Sequence, residues 1–130
     1  MQVVFLCCCN GNISSVLCRN MLRELHKERI TAAYIEDVVK SYEHYAQQYD
    51  LVLAYGSVDM INAFHLRTLR LAQYVNQIWI CPQARYQKAN IERQLKEQIS
   101  VHVVDMQAFG KADHSSILAA IRQSLLQEQS

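Results

Sequence analysis

Val3-Val4-Phe5-Leu6-Cys7-Cys8-Cys9-Asn10-Gly11-Asn12-Ile13-Ser14-Ser15 is the stretch that decides how this chain folds. The stretch over residues 2 to 7 runs apolar from Val3 on, without alternation, which is how a strand buried on both faces of a parallel sheet reads. A small polar loop with one glycine follows. Ser14 is expected to cap the helix that comes next. Strand, tight turn and helix start bring backbone N–H groups and the positive end of a helix dipole to one point. A cysteine at the end of the strand lies beside that point. There a thiol ionises readily, and an anion attached to it is held by the amides. Gly11 is expected to adopt a conformation that turns its amide toward the anion. The pattern is that of a cysteine that carries phosphate.

Outward from this stretch the chain alternates. Val16, Leu17, Met21, Leu22 and Leu25 mark one face of a first helix, predicted to end near Glu28. Residues 30 to 36 read as a second strand and residues 39 to 48 as a short polar helix. Residues 51 to 56 read as a third strand ending in glycine. Ser57 or Asp59 is placed to open a helix that uses Ile61, Phe64, Leu66 and Leu69. Ile78-Trp79-Ile80-Cys81 is a strand stopped by Pro82. A polar helix over residues 86 to 97 turns Ile91 and Leu95 inward. Residues 101 to 105 form the last strand. After a loop at Phe109-Gly110-Lys111, Asp113 is placed to cap a closing helix with Ile117, Leu118, Ile121 and Leu125 on its apolar face. Strand–helix alternation with short links predicts an α/β fold: a doubly wound, mostly parallel sheet of four or five strands flanked by helices. The P-loop-like active-site turn after the first strand falls at the carboxyl ends of the strands, where such sheets hold ligands.

At 130 residues the chain suits one domain, over residues 1–130. A net charge of +1 with dispersed basic residues argues against a nucleic-acid surface. No apolar run is long enough to span a bilayer, and the start lacks the basic region of a signal peptide. Five cysteines, an odd number, argue against a disulfide framework and for a reducing, cytoplasmic setting. Cys7 and Cys18 are expected to be core residues, as is Cys81, with Cys9 exposed on the loop. Three adjacent cysteines lack zinc-ligand spacing, so neither metal nor cofactor is expected.

The strand, the Cys8-Cys9-Asn10-Gly11 turn and the Ser14-Ser15 helix start resemble the IIB components of the bacterial sugar phosphotransferase system, in the lactose/cellobiose class. Pro82-Gln83-Ala84-Arg85-Tyr86, Val101-His102-Val103-Val104-Asp105 and Phe109-Gly110-Lys111-Ala112-Asp113 resemble the second half of the same family, in order. The resemblance implies that Cys8 is the phosphorylated cysteine of a cytoplasmic relay. A phosphohistidine on a IIA protein would supply the phosphoryl group. The acceptor would be a sugar moving through the membrane-embedded IIC permease. The phosphate loop would then be Cys9, Asn10, Gly11, Asn12, Ile13, Ser14 and Ser15. Lys111 and His114, from their own place near the strand–helix loop at the active edge, are candidate auxiliary residues.

Four features depart from the family pattern. Cys9 and Asn10 fill a turn that is usually small, and Asn12 stands where a larger apolar residue is frequent. Phe109 stands where tyrosine is common, and the middle is longer by about one strand–helix unit. They motivate a second reading, a IIB-like regulatory or binding module that docks without turnover. A cysteine phosphatase or arsenate reductase is a third. Those enzymes close their loop with an arginine at a fixed distance after the cysteine. The matching position is Ser14 counted from Cys8, Ile13 from Cys7 and Ser15 from Cys9. Without the guanidinium fork, attack by water loses its main clamp. A carrier gains from that loss.

Overall fold

The computed structural model describes residues 1–23, 25, 28–62, 70–96 and 98–129. Five strands form one all-parallel sheet in the order β2-β3-β1-β4-β5. They are β1 (Gln2–Cys8), β2 (Ile30–Tyr34), β3 (Leu51–Ser57), β4 (Gln77–Ile80) and β5 (Ser100–Val103). The helices are α1 (Gly11–Met21), α2 (Ile35–Lys40), α3 (Tyr42–Gln48), α4 (Leu71–Tyr74), α5 (Lys88–Leu95), α6 (Met106–Gly110) and α7 (His114–Gln129). The expected doubly wound α/β architecture is what the chain adopts, and all five predicted strands are present.

The period-2 alternation of a strand divides the core in two. Val3, Phe5 and Cys7 of β1 face one layer, with Val52 and Ala54 of β3, Ile78 and Ile80 of β4, and Ile35, Val38, Ile91 and Leu95 from the helices. Val4, Leu6 and Cys8 face the other, with Leu53, Trp79 and Cys81, against Leu17, Cys18 and Met21 of α1 and Ile117, Leu118, Ile121 and Leu125 of α7. Both faces of β1 are covered, so its run is apolar without alternation. Burying each large side chain such as Phe5 or Leu6 contributes about 1.5–3 kcal/mol. The α1 connection from β1 to β2 lies on one face. The described residues leaving β3 and β4, among them Val58, Leu71, Ala84 and Ile91, lie on the other, and β4 and β5 stand beyond β1 toward the opposite edge. The winding therefore reverses at β1, and its carboxyl end is the switch point of the sheet.

One polar cluster sits inside the second layer. Gln77 is fully buried; its Oε1 accepts from Trp79 Nε1 at 2.9 Å and its Nε2 donates to Ser124 Oγ at 3.0 Å. The Trp79 ring stacks on His102 at 4.7 Å. His102 is half-buried and faces Glu128 of α7 at 3.6 Å. Partial burial pushes the Glu128 carboxyl up, but hydrogen bonds from Ser100, Gln77 and His102 together hold it below its ordinary range.

Several boundaries differ from expectation. The first helix ends at Met21, not near Glu28, because Leu22 adopts a tightened turn whose N–H bonds back to Arg19 and Asn20. The second strand stops at Tyr34, and the polar helix expected over 39–48 is two helices. Ser41, at φ −120° and ψ 32°, breaks it between α2 and α3. Ser57 does open a turn, accepting from Asp59 N–H, but a 3-10 turn over Val58–Met60. The helix expected to continue through Phe64, Leu66 and Leu69 falls at residues outside those described. The helix expected over 86–97 divides into a 3-10 segment (Pro82–Gln87) and α5, with Ile91 and Leu95 inward as predicted. The strand predicted over 101–105 ends at Val103, and Asp105 instead caps α6, accepting from Ala108 N–H at 2.9 Å. That cap makes Phe109 and Gly110 helical rather than loop. Asp113 caps α7 as expected, accepting from Ser116, and the four predicted apolar residues of α7 are buried.

Candidate functional site

Cys8 is the last residue of β1, in the middle of the sheet, and only Cys9 and Asn10 separate it from α1. The helix begins earlier than the Ser14 cap implied. Asn10 is the cap, with extended backbone and its Oδ1 accepting from Ile13 N–H at 3.0 Å. An exposed asparagine beside a glycine is a good N-cap, so this signal was present in the sequence. Ser14 has a different role. It is fully buried, donates to the Gly56 carbonyl at 3.0 Å and accepts from Gly56 N–H at 3.2 Å. The hydroxyl thus ties α1 to β3 and is not aimed at the helix mouth. Ser15 is also buried, whereas Asn12 is exposed and Ile13 half-buried. Gly11 takes an ordinary helical conformation, not a left-handed one, since no glycine here has positive φ. A Cβ at this position would meet the Gly56 backbone at ordinary contact distance.

The loops after β1 and β3 are joined at this edge. Ser57 pairs with Cys8 in register, and its hydroxyl donates to the Cys9 carbonyl at 3.3 Å. The segment after β4, with Pro82 and Arg85, packs against the end of β1. His114 comes to the same side. It lines a groove of about 390 Å³ with Asn12, Ile13, Val16 and Phe109. Lys111 is exposed at the end of α6 and is not among the residues lining that groove. Val16, expected inward, is exposed at the rim.

The five cysteines divide sharply. Cys7 faces the first layer, where its Sγ donates to the Trp79 carbonyl, and burial pushes its thiol far up. Burial does the same to Cys18 within α1. Neither supplies a thiolate near neutral pH. Cys9 is an exposed free thiol. Cys8 is fully buried and disulfide-bonded to Cys81, which corrects the expectations that the odd count argues against disulfides and that Cys81 only packs. The pairing follows from register. Cys7 lies opposite Ile80, so Cys8 and Cys81 are the next neighbours across β1 and β4, on the same face, with Cα atoms 5.0 Å apart. That distance falls within the range a disulfide spans without backbone movement.

Among the described residues, no cluster of three or more His, Cys, Asp or Glu is arranged to hold a metal, and no helix is long and apolar enough to cross a membrane. No known protein family and no curated protein matches the chain.

Proposed function

We propose that the protein is a phosphocarrier of the IIB type, with Cys8 in its dithiol form as the phosphoacceptor. The observation that carries this reading is the position of Cys8. It ends the central strand at the switch point, with two residues between it and the N-terminus of an eleven-residue helix. The Cys8 thiolate would attack the phosphorus of a phosphohistidine on a IIA partner. The S–P bond forms as the P–N bond breaks, and the imidazole leaves with the electron pair. A sugar hydroxyl, delivered through a IIC permease, then attacks the same phosphorus, and the thiolate is regenerated. Such transfers depend on positioning and charge stabilisation more than on covalent help. The N–H groups of the first turn of α1 and the helix dipole supply both. Asn10 contributes by holding the loop through its cap. Ser14 contributes indirectly, by seating α1 on β3.

The buried, disulfide-bonded state of Cys8 favours a second reading, a IIB-like module that docks partners without transfer. One experiment separates the two. The reduced protein is incubated with phosphoenolpyruvate, the general phosphotransferase proteins and a IIA protein, then weighed intact. One phosphoryl group on the wild type and none on Cys8→Ser supports the carrier. Acceptance that persists in the variant, or no acceptance by the folded, reduced wild type, removes it.

A further inference from the structure

We propose that Cys8 and Cys81 form a reversible thiol–disulfide couple that gates the phosphoacceptor, so that the protein accepts phosphate only when this pair is reduced. The inference rests on the reading of Cys8 as phosphoacceptor. In the disulfide the Cys8 sulfur is bonded to Cys81 and fully buried, so no thiolate is present to attack phosphorus.

The fold makes the couple specific. Cys7 is turned to the opposite face of the sheet, Cys18 packs into the same layer as Cys8 from α1 but is a free thiol, and Cys9 lies exposed outside the strand. Only Cys81 shares the face and register of Cys8. The couple can also open without unfolding its surroundings. Cys81 N–H donates to the Cys7 carbonyl at 2.9 Å, and β1 is laddered to β3 on its other side. The strand ends therefore keep their places whether the sulfurs are joined or not. In compartments that keep thiols reduced, disulfides are usually transient and redox-sensing rather than structural.

The oxidant is a low-molecular-weight disulfide of the glutathione class. The Cys8 thiolate attacks it, forming a mixed disulfide and releasing one thiolate. The Cys81 thiolate then attacks the Cys8 sulfur and expels the second. Two electrons pass from the protein to the oxidant. Two equivalents of the thiol reverse the sequence and restore both cysteines.

The test uses the full chain equilibrated in reduced or oxidised glutathione, then freed of buffer. Each sample is divided. One part is denatured and alkylated with N-ethylmaleimide to count thiols. The other is offered phosphate from the IIA donor and weighed intact. Oxidised wild type is expected to show three thiols, or two where the exposed Cys9 holds a glutathionyl group, and no phosphoryl group; reduced wild type is expected to show five thiols and one phosphoryl group. Reduced Cys81→Ser is expected to accept phosphate; after oxidised glutathione it lacks the resolving thiol and is expected to keep Cys8 as a mixed disulfide, seen as an added glutathionyl mass with no phosphoryl group. Cys81→Ala serves if the serine variant does not fold. Four or five thiols in the oxidised wild type overturn the couple. Equal phosphorylation of the two wild-type forms overturns the gate while leaving the carrier reading intact. No phosphoryl group on the reduced wild type or on either reduced Cys81 variant overturns the carrier reading, and the gate with it.

Discussion

Replacing Gly56 with alanine tests how closely the site is built onto the core. A Cβ at Gly56 would lie 3.1 Å from Ile35 Cγ2 and 3.2 and 3.3 Å from two Phe5 ring carbons. Favourable carbon contacts lie at about 3.5–4.0 Å. Phe5 and Ile35 are both fully buried, so neither swings away into solvent. Overpacking of this kind costs about 1–3 kcal/mol. The backbone shift that relieves it would strain the two bonds between Ser14 and Gly56, which seat α1. Against this, alanine restricts the unfolded chain, a gain of about 0.4–1 kcal/mol where φ is compatible. The net expectation for Gly56→Ala is a loss of about 1–2 kcal/mol, overpacking outweighing the entropy gain. Gly11→Ala is the control. Its Cβ would meet Gly56 Cα at 3.8 Å, an ordinary contact at the start of a helix, so the entropy gain stands unopposed. Urea unfolding in reducing buffer, with midpoints compared at constant m, measures both. A Gly56→Ala variant as stable as wild type, or a Gly11→Ala variant that loses more, would refute the packing argument.

Three further outcomes are expected. Reducing the Cys8–Cys81 bond, which joins residues 73 apart in sequence, should lower stability by about 4 kcal/mol on the chain-entropy estimate; equal urea midpoints with and without dithiothreitol would contradict it. Bonds from the Ser116 side chain and backbone hold the Asp113 carboxyl below its ordinary range. Its contribution is therefore complete above the usual carboxylate pKa and is lost as pH falls through the lowered native value. Asp113→Asn should flatten that acid dependence, seen as a shallower loss of helical circular dichroism below about pH 4, near the unperturbed Asp value. Gln77→Leu leaves the buried Trp79 N–H without its acceptor and should cost about 1–3 kcal/mol; unchanged stability and unchanged tryptophan fluorescence would show that this bond is dispensable.

Much of the fold was legible because its signals are local. Unbroken apolar runs at Val3–Cys7, Leu51–Ala54 and Ile78–Cys81 mark strands buried on both faces, and all three lie in the sheet. The inward face of α7 was readable from helical spacing alone. Boundaries were read less well where a cap or a single backbone angle decides them. Asn10 competes with Ser14 for the α1 cap and wins because Ser14 is drawn into the bond with Gly56, 42 residues away. Asp105 turns a presumed loop into α6 through one side-chain bond. Ser41 splits a helix through its own backbone angles.

The sequence by itself determined the α/β class, the strand–loop–helix start at Cys8 and the identity of the buried runs, since each depends on residues within a few positions of one another. Only the tertiary structure decided that β3 lies between β2 and β1. It also decided that Ser14 belongs to β3 and that Cys8 meets Cys81. Strand order and register are set by how the layers pack, and a shift of one residue in the pairing of β1 with β4 would send the two sulfurs to opposite faces of the sheet.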